Sequence, residues 1–272
     1  MVRFLKSLVH PYIRKIYRRI RVPAVWGGRF PNWASAQAAS GGYDDSKILN
    51  KVASAVQQVV VGKAAFERDS VLFFKEQFNW HLLGPLLVAA GAHRDHVLTV
   101  IDFGGSLGSS YLQNKKILAA CSTLSWKIVE QPHYVEVGRE IFPSGPMQFH
   151  KTLSEAWPKE GKTFLLFASV LQYLPDPELF LRELILLYRP DYIFIERTTF
   201  CFEAQNRLTV QKVPPQIYEA SYPCWFFTQN FFEDILSEDY IKTSETIHQD
   251  VSEDFNSCFK NLYYVTKSIA LT

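Results

Sequence analysis

The stretch from residue 97 to residue 131 constrains the fold of this chain most strongly. A short apolar run at residues 97–101 ends at Asp102, and a glycine-rich turn at residues 104–108 follows directly. A helix-compatible segment comes next, and a second apolar run at residues 126–129 ends at Glu130. Strand, glycine turn, helix and strand form a βαβ unit, whose ligand site lies at the carboxyl ends of its strands. The stretch therefore predicts a nucleotide-type site in which Glu130 binds ribose hydroxyls.

The spacing of the glycines separates two classes of nucleotide. Dinucleotide sites carry Gly-x-Gly-x-x-Gly, but Phe103 stands here at the first glycine position. Asp102 sits at the strand end instead, two residues before Gly104. A carboxylate at this place favours a ligand with an ammonium group and disfavours a pyrophosphate. For the glycines alone, a purely structural turn is the competing interpretation.

The composition excludes several classes of protein. The 272 residues can bury a full core, and one domain with an N-terminal extension is the simplest organisation. Residues 1–43 hold eight basic side chains and no acidic one, so the remainder carries 21 basic against 27 acidic side chains. That balance argues against a nucleic-acid partner. Four scattered cysteines without a CxxC pair are typical of a reducing cytoplasm, and we find no signal peptide and no apolar run of about 18 residues.

The N-terminal third is predicted to precede the sheet. Residues 1–21 indicate a basic amphipathic helix, which suits peripheral contact with an anionic inner-membrane surface as well as packing on this domain or on a partner. The sequence leaves these alternatives open. Residues 22–95 are expected to form an N-terminal lid and helical segment. It comprises an ordered aromatic loop to residue 43, a helix capped near Asp44 and ended by Gly62, and a helix over residues 71–90.

Residues 96–272 alternate apolar strands with helices. Beyond the βαβ unit, strands are predicted at residues 147–149, 163–167, 192–195, 240–247 and 262–266, the last two as an antiparallel pair. Helices are predicted after Asp176, the expected N-cap before Pro177, and at residues 230–236. This alternation predicts an α/β fold with a doubly wound, seven-stranded, mostly parallel sheet.

Two resemblances build on these motifs. Asp-x-Gly-Gly-x-x-Gly resembles the first motif of class I S-adenosylmethionine (SAM) methyltransferases, and residues 164–200 resemble the middle of that fold. Residues 25–266 more specifically resemble a family of predicted bacterial methyltransferases associated with surface-polysaccharide loci. This second resemblance rests on Trp33 through Asp44, Glu67-Arg68-Asp69-Ser70, Asp102 through Tyr111, Glu130-Gln131-Pro132-His133, Ser169 through Leu174, and Glu196-Arg197-Thr198. It implies a Rossmann-like fold and SAM as cofactor, and it implies a glycan or other small-molecule acceptor through gene association alone.

The methyltransferase resemblance implies a set of cofactor-binding residues. Two of them have plain alternatives, because Gln131 also suits a simple strand-end role and Tyr111 also suits the core. The predicted set is Asp102, Gly104, Gly105, Ser106 and Gly108 for the methionine half, Glu130 for the ribose, Gln131 beside the adenine, Tyr111 over the cofactor, and Ser169, Leu171 and Gln172 beside the sulfonium.

Candidates for catalysis come from chemistry and position. His133 is the best base because its unperturbed pKa lies near neutrality, with a structural histidine as the alternative. Tyr173 follows the fourth strand and borders the acceptor. Arg197 is able to clamp a phosphate or carboxylate of the acceptor, or it simply pairs with Glu196.

Predicted acceptor contacts come from the N-terminal segment and from the end of the fifth strand. They are Tyr43, Asp44, Arg68, Asp69 and Glu196, of which Asp44 and Asp69 suit capping and packing at least as well. No metal site is predicted, because the close histidine pair His93-x-x-His96 lies in a polar segment and is interpreted as solvent-exposed.

The sequence thus predicts a cytoplasmic SAM-dependent methyltransferase, directed to an oxygen of a sugar in a surface polysaccharide or its precursor. The alternative is a catalytically silent subunit with a SAM-binding fold in a polysaccharide-assembly complex. An NAD-dependent dehydrogenase conflicts with Phe103 and with the closing strand pair. No motif specifies the acceptor, the methylated atom or the oligomeric state.

Overall fold

The computed structural model describes residues 25–41, 45–93, 97–121, 123–214, 217, 219–247 and 256–270. Its strands are β1 (Trp26–Gly27), β2 (Phe66–Arg68), β3 (Val71–Phe73), β4 (Leu98–Phe103), β5 (Leu124–Val129), β6 (Met147–His150), β7 (Lys162–Ala168), β8 (Tyr192–Cys201), β9 (Arg207–Lys212), β10 (Ser221–Phe226), β11 (Tyr240–Ile247) and β12 (Ser257–Thr266). Its helices are α1 (Trp33–Ala38), α2 (Asp45–Val60), α3 (Trp80–Ala92), α4 (Ser109–Leu118), α5 (Pro132–Ile141), α6 (Leu153–Ala156), α7 (Pro177–Tyr188), α8 (Phe231–Leu236) and α9 (Lys267–Ala270), and a 3₁₀ turn spans Leu171–Tyr173.

Seven strands form the main sheet, in the order β6-β5-β4-β7-β8-β12-β11. β12 runs antiparallel to both of its neighbours, whereas the pairs from β6 to β8 are parallel. The central strands are almost wholly buried, as parallel strands covered by helices on both faces require. This is the arrangement of class I methyltransferases. The predicted fold and all seven predicted strands of this sheet are confirmed.

Two apolar clusters cover the two faces of the sheet. On one face, α2, α3, α4 and α5 pack against alternate residues of the strands, such as Val100 and Phe164. On the other face, α7 and α8 pack against the intervening residues, such as Ile101 and Leu165. The alternation along each strand is the two-residue period of β-structure, and burial of both sets produces the continuous apolar runs of the sequence.

A smaller sheet joins the N-terminal segment to the stretch between β8 and α8. β9 pairs with β10 and also with β1, all antiparallel, and α1 packs on one face of this sheet through Ala36 and Trp33. The segment between β8 and α8 was not predicted to contain strands. The aromatic loop predicted for residues 22–43 likewise contains β1 and α1 where it is described.

The helix predicted over residues 71–90 is wrong in its first half. Residues 66–73 form the β2–β3 hairpin, with Asp69 and Ser70 in the left-handed region at the turn. Helix α3 begins only at Trp80, where the Asn79 side chain accepts a hydrogen bond from the Leu82 amide. A β-hairpin of this kind needs positive φ at both turn residues. Asp tolerates that conformation, but the pair Asp-Ser is a weak signal in sequence.

The start of α7 and the lengths of the helices also bear on predictions from the sequence. Asp176 caps α7 by accepting from the Leu179 amide at 3.0 Å, as predicted. Within the described ranges, none of the helices is both long and apolar enough to cross a bilayer. The basic segment of residues 1–21, for which membrane contact and packing were left as alternatives, lies outside those ranges, and the predicted division at residue 95 stays a prediction.

Candidate functional site

The carboxyl ends of β4, β5, β7 and β8 meet at one edge of the main sheet. From β4 the chain proceeds to β5 and β6 on one side, and later to β7 and β8 on the other. The gap between the β4 and β7 connections is the topological switch point, where open α/β sheets bind their ligands. We refer to this region as the carboxyl edge.

The glycine loop after β4 is shaped by close contacts. Gly104 donates its amide to the Val129 carbonyl at 2.9 Å and has a φ of +69°. A Cβ on Gly104 would lie 2.5 Å from Val170, in the connection after β7. Gly108, the left-handed N-cap of α4, leaves the same 2.5 Å between a built Cβ and the sulfur of Met147. Only glycine fits at both positions, and the loop is thereby held against its neighbours on both sides.

Glu130 ties the end of β5 to the glycine loop. One carboxylate oxygen accepts from the Ser106 amide at 3.1 Å, and the other accepts from the Gln131 amide at 2.8 Å. Each oxygen has a second lone pair, so these contacts orient Glu130 without exhausting its capacity for ribose hydroxyls. The two strand ends that the sequence placed together do meet in the structure.

Asp102 lies beneath the glycine loop and is fully buried. Trp126 donates its indole N–H to Asp102 Oδ2 at 3.2 Å, while Oδ1 has no hydrogen-bond partner in the described part of the chain. Burial raises the pKa of this carboxyl to about 7, against the Trp126 hydrogen bond, and the charges of Glu196 and Glu130 raise it further. Two further carboxyl groups are therefore close enough to act on Asp102, and a cation bound beside it would relieve this repulsion.

Several buried polar atoms along this edge lack hydrogen-bond partners among the described residues. They are Asp102 Oδ1, His133 Nε2, His150 Nε2, Gln172 Oε1 and Arg197 Nε. Buried polar groups are nearly always paired in folded proteins, so unpaired ones mark a place where a ligand or water completes the set. Together with the glycine loop and the acidic surroundings, these atoms fit SAM, which offers an ammonium group, ribose hydroxyls and an adenine ring.

A β-bulge in β8 shapes the far side of the edge. Lys260 pairs with Thr198 and Leu262 pairs with Ile195, so that Glu196 and Arg197 both oppose Asn261 of β12. Asn261 Oδ1 accepts from the Arg197 amide at 2.9 Å, and Arg197 has a φ of +47°. Ser106 and Ser169, after β4 and β7, are left-handed as well. Strained backbone of this kind clusters at functional sites.

Replacing Asn261 by alanine should lower the free energy of unfolding by about 1–3 kcal/mol, because the buried Arg197 amide then loses its acceptor. Asn261 also donates to the Thr246 hydroxyl at 3.2 Å. A Thr246→Ala variant removes only that second bond and serves as the control in urea denaturation. Equal losses in the two variants would contradict the assignment of the bulge to Asn261.

The residues predicted beside the sulfonium support the bulge from the β7 side. The Ser169 hydroxyl and the Gln172 amide donate to the Arg197 carbonyl at 3.3 and 3.4 Å. Leu171 is fully buried in the apolar cluster of α7 and α8, so its side chain contributes packing at this edge. Arg197 itself is 19% exposed, with its Nε 3.7 Å from Glu196 Oε1. The neighbour pairing that the sequence left open is therefore present.

Asn79 connects Glu196 to the helix that follows the glycine loop. Its side-chain amide donates to Glu196 Oε1 at 2.7 Å, and its backbone amide donates to Asn114 Oδ1 of α4 at 2.9 Å. Glu196 is 3% exposed and lies within this network. Sequence reasoning missed Asn79, although its place before an apolar run is an N-cap signal.

Hairpin β2–β3 packs on α4 through charged residues. Glu67 is buried and accepts from the Ser109 hydroxyl and, at 3.1 Å, from the Ser70 amide; burial raises the pKa of its carboxyl. Arg68 donates to Gln113 at 3.2 Å, and Asp69 is exposed at the turn. The sequence singled out Arg68 and Asp69 as acceptor contacts. Those roles stay predictions, and the structure adds that Glu67 reaches the first turn of α4.

The three predicted catalytic residues come from three different elements of the carboxyl edge. His133 lies in the first turn of α5, after β5, whereas Tyr173 follows β7 and Arg197 belongs to β8. Strand spacing separates β5 from β8 by about 14 Å. Gln131, beside His133, is exposed at the start of α5. Tyr111 is half-buried with its ring packed edge-on against Trp126, which matches the core alternative.

Two further predictions concern residues near the N-terminal segment. His93 was interpreted as solvent-exposed, and this is wrong: a ring nitrogen lies 2.7 Å from the Tyr192 hydroxyl, and the residue is partly buried. His96 lies outside the described residues. Tyr43 and Asp44, predicted to contact the acceptor, also lie outside them.

Comparisons with known proteins show remote similarity. No protein-family model matches the sequence, and no curated protein is significantly similar to it. The N-terminal domain of EvdMO1, crystallised in the presence of S-adenosylhomocysteine and D-fucose, is 11% identical over 83% of this chain and 98% of its own, with a TM-score of 0.48. A SAM-dependent methyltransferase from Methanosarcina mazei is 13% identical over 62% of this chain and 92% of its own, with a TM-score of 0.44.

A third solved structure is the 1,6-didemethyltoxoflavin-N1-methyltransferase from Burkholderia thailandensis, with bound 1,6-didemethyltoxoflavin and S-adenosylhomocysteine. It is 13% identical over 83% of this chain and 91% of its own, with a TM-score of 0.40. Likeness at this level carries no information about the ligand or the reaction of this chain. Those questions rest on the geometry of its own carboxyl edge.

Proposed function

We propose that this chain is a SAM-dependent methyltransferase that methylates a hydroxyl of a sugar in a surface polysaccharide or its lipid- or nucleotide-linked precursor, in the cytoplasm. One observation carries the cofactor: Asp102 is buried beneath the glycine loop at the switch point, and the charges of Glu130 and Glu196 act on it. Such a site attracts a cationic ligand and repels a pyrophosphate. The sugar acceptor and the polysaccharide rest on sequence resemblance.

Different residues of the carboxyl edge are assigned to different parts of the cofactor. The backbone of Gly104, Gly105, Ser106 and Gly108, together with the Asp102 carboxyl, would hold the methionine half, and Glu130 would accept hydrogen bonds from the ribose hydroxyls. We assign His133 to the adenosine half, because it follows Glu130 on the β5 side. Ser169 and Gln172 hold the backbone on the opposite side.

When bound, the cofactor supplies an electrophilic methyl group to the acceptor oxygen. The task of the protein is then chiefly to place that oxygen in line and to keep water away. Arg197, held in its strained conformation by Asn261, presents a guanidinium at the bulge within β8 and is suited to orient a phosphate or carboxylate of the acceptor. Tyr173 stands on the neighbouring turn.

Glu130→Ala should weaken SAM and S-adenosylhomocysteine binding by about 10- to 100-fold, as expected for the loss of charged hydrogen bonds. Calorimetric titration of both ligands measures this. Glu136→Ala removes an exposed carboxylate of the adjacent helix α5 and is the control, with wild-type affinity expected. Absence of binding to the wild-type protein, or equal affinity of Glu130→Ala and wild type, would contradict the proposed cofactor.

A second function is a SAM-binding subunit without turnover. The observation in its favour is that Arg197 pairs with Glu196 and that His133 follows a strand that is not a neighbour of β8. Methyl transfer from labelled SAM to a panel of glycan acceptors distinguishes the two functions. Tight cofactor binding with no transfer to any acceptor would favour the subunit.

A further inference from the structure

The small sheet places a hairpin beside the carboxyl edge. β9 and β10 are inserted between β8 and α8, and β1 of the N-terminal segment completes their sheet. Further contacts join the hairpin to that segment: the Phe30 amide donates to the Leu208 carbonyl at 3.0 Å, and the Gly41 amide donates to the Ser221 hydroxyl at 2.6 Å. Lid and hairpin therefore form one structural unit.

This hairpin rests on the turn that follows β7. The Tyr173 hydroxyl donates to Gln211 Oε1 at 2.8 Å, and the Tyr173 and Tyr222 rings meet edge-to-face at 5.1 Å. Val170, three residues before Tyr173, lies so close to Gly104 of the glycine loop that a Cβ there would clash with it. Tyr173 is thus one short turn away from the residue that contacts the glycine loop, and Tyr222 packs on Tyr173.

Gln211 and Tyr222 are directly opposite each other on one face of the hairpin. Farther along this face, Cys224 and Phe226 are buried against Cys201 and Trp26. Tyr173, Gln211 and Tyr222 are only partly buried. We call these three residues the acceptor wall.

The acceptor wall combines aromatic rings with neutral hydrogen-bonding groups. Because Gln211 Oε1 accepts from Tyr173, the amide is held in place and its nitrogen remains the donor for a ligand. The wall itself contains no charged group, so it suits a neutral part of the acceptor that has an apolar face and a rim of hydroxyls. A pyranose ring has this chemistry, and a rigid aromatic contact limits the entropy lost on binding.

We propose that the acceptor wall binds the ring of the sugar acceptor and determines which sugar is methylated. This inference rests on the proposed function, because it places the acceptor next to the cofactor loop. It adds specificity-determining residues from a segment to which neither the motifs nor the resemblance assigned a role.

The test uses the full chain saturated with S-adenosylhomocysteine, and methyl glycosides of hexoses and 6-deoxyhexoses as probes. Saturation-transfer NMR should show contacts to ring protons for at least one glycoside. Tyr222→Ala and Gln211→Ala should each weaken its binding by about tenfold, and Tyr222→Phe should retain most of it. Lys212→Ala alters the next, exposed residue of β9, on the opposite face, and is the matched control.

S-adenosylhomocysteine affinity, measured by calorimetry, should be the same in all four variants and in the wild type, which also shows that they fold. Equal glycoside binding by Tyr222→Ala and wild type would overturn the inference, as would the absence of binding to every glycoside by a protein that still binds S-adenosylhomocysteine. A wild-type protein that binds no S-adenosylhomocysteine would instead overturn the proposed function.

Discussion

Gly105→Ala should reduce SAM affinity by about 100-fold or more and lower the free energy of unfolding by about 1–3 kcal/mol. A Cβ at this position would lie 2.5 Å from Asp102 Cγ and within 2.8 Å of both carboxylate oxygens. The Asp102 side chain cannot move away from this Cβ, because it is fully buried and hydrogen-bonded to Trp126. The loop must therefore move, and its amides then leave the positions that bind the cofactor.

The matched control is Gly84→Ala. Gly84 lies in α3, where a Cβ would meet nothing within 4 Å, so alanine should leave cofactor affinity unchanged and stabilise the protein by about 0.5–1 kcal/mol. Calorimetry and urea denaturation of both variants measure the two effects. Wild-type cofactor affinity in Gly105→Ala would show that the loop does not carry the site.

Asp102→Asn should make the cofactor-free protein more stable than wild type at pH 8, and the difference should shrink as the pH falls toward 4. The carboxyl ionises near pH 3.8 in the unfolded chain but near 7 in the folded one, because it is buried. Between these values the folded state holds more protons, so wild-type stability falls as the pH rises. At about 1.4 kcal/mol per pH unit, the penalty reaches at most about 4 kcal/mol above pH 7.

The variant lacks this titration, while its amide oxygen still accepts from Trp126. Urea denaturation of both proteins at pH 5 and pH 8 tests the prediction, and a stability difference that does not change with pH would contradict it. In the same variant, SAM binding at pH 8 should be weaker than in wild type, because the ionised carboxylate that faces the cation is gone. Greater stability with weaker binding is the usual exchange at a functional site.

The sequence was informative wherever local chemistry decides the structure. Residues 97–131 predicted β4, the glycine loop, α4 and the carboxylate of Glu130, because apolar runs and glycine spacing depend on near neighbours only. The Asp176 cap and the closing pair β11–β12 follow the same logic. These parts were enough to predict the doubly wound sheet.

The sequence did not predict contacts between segments that are far apart in the chain. The bulge at Arg197 needs Asn261, which is 64 residues away, and the acceptor wall needs Tyr173 to meet Gln211 across 38 residues. Strand β3 was mistaken for helix because the short strands of the β2–β3 hairpin derive their stability from packing on α4. Asp102 was predicted to contact the cofactor, but its burial and raised pKa result from the neighbours that surround it.

The sequence alone therefore determined the seven strands of the main sheet and predicted the edge at which a ligand would bind, since buried strands and glycine turns depend on short runs of residues. The tertiary structure alone decided which side chains face one another at that edge, which backbone is strained, and which inserted segment stands beside the cofactor loop. Those features depend on packing between residues far apart in the chain, so local sequence patterns do not predict them.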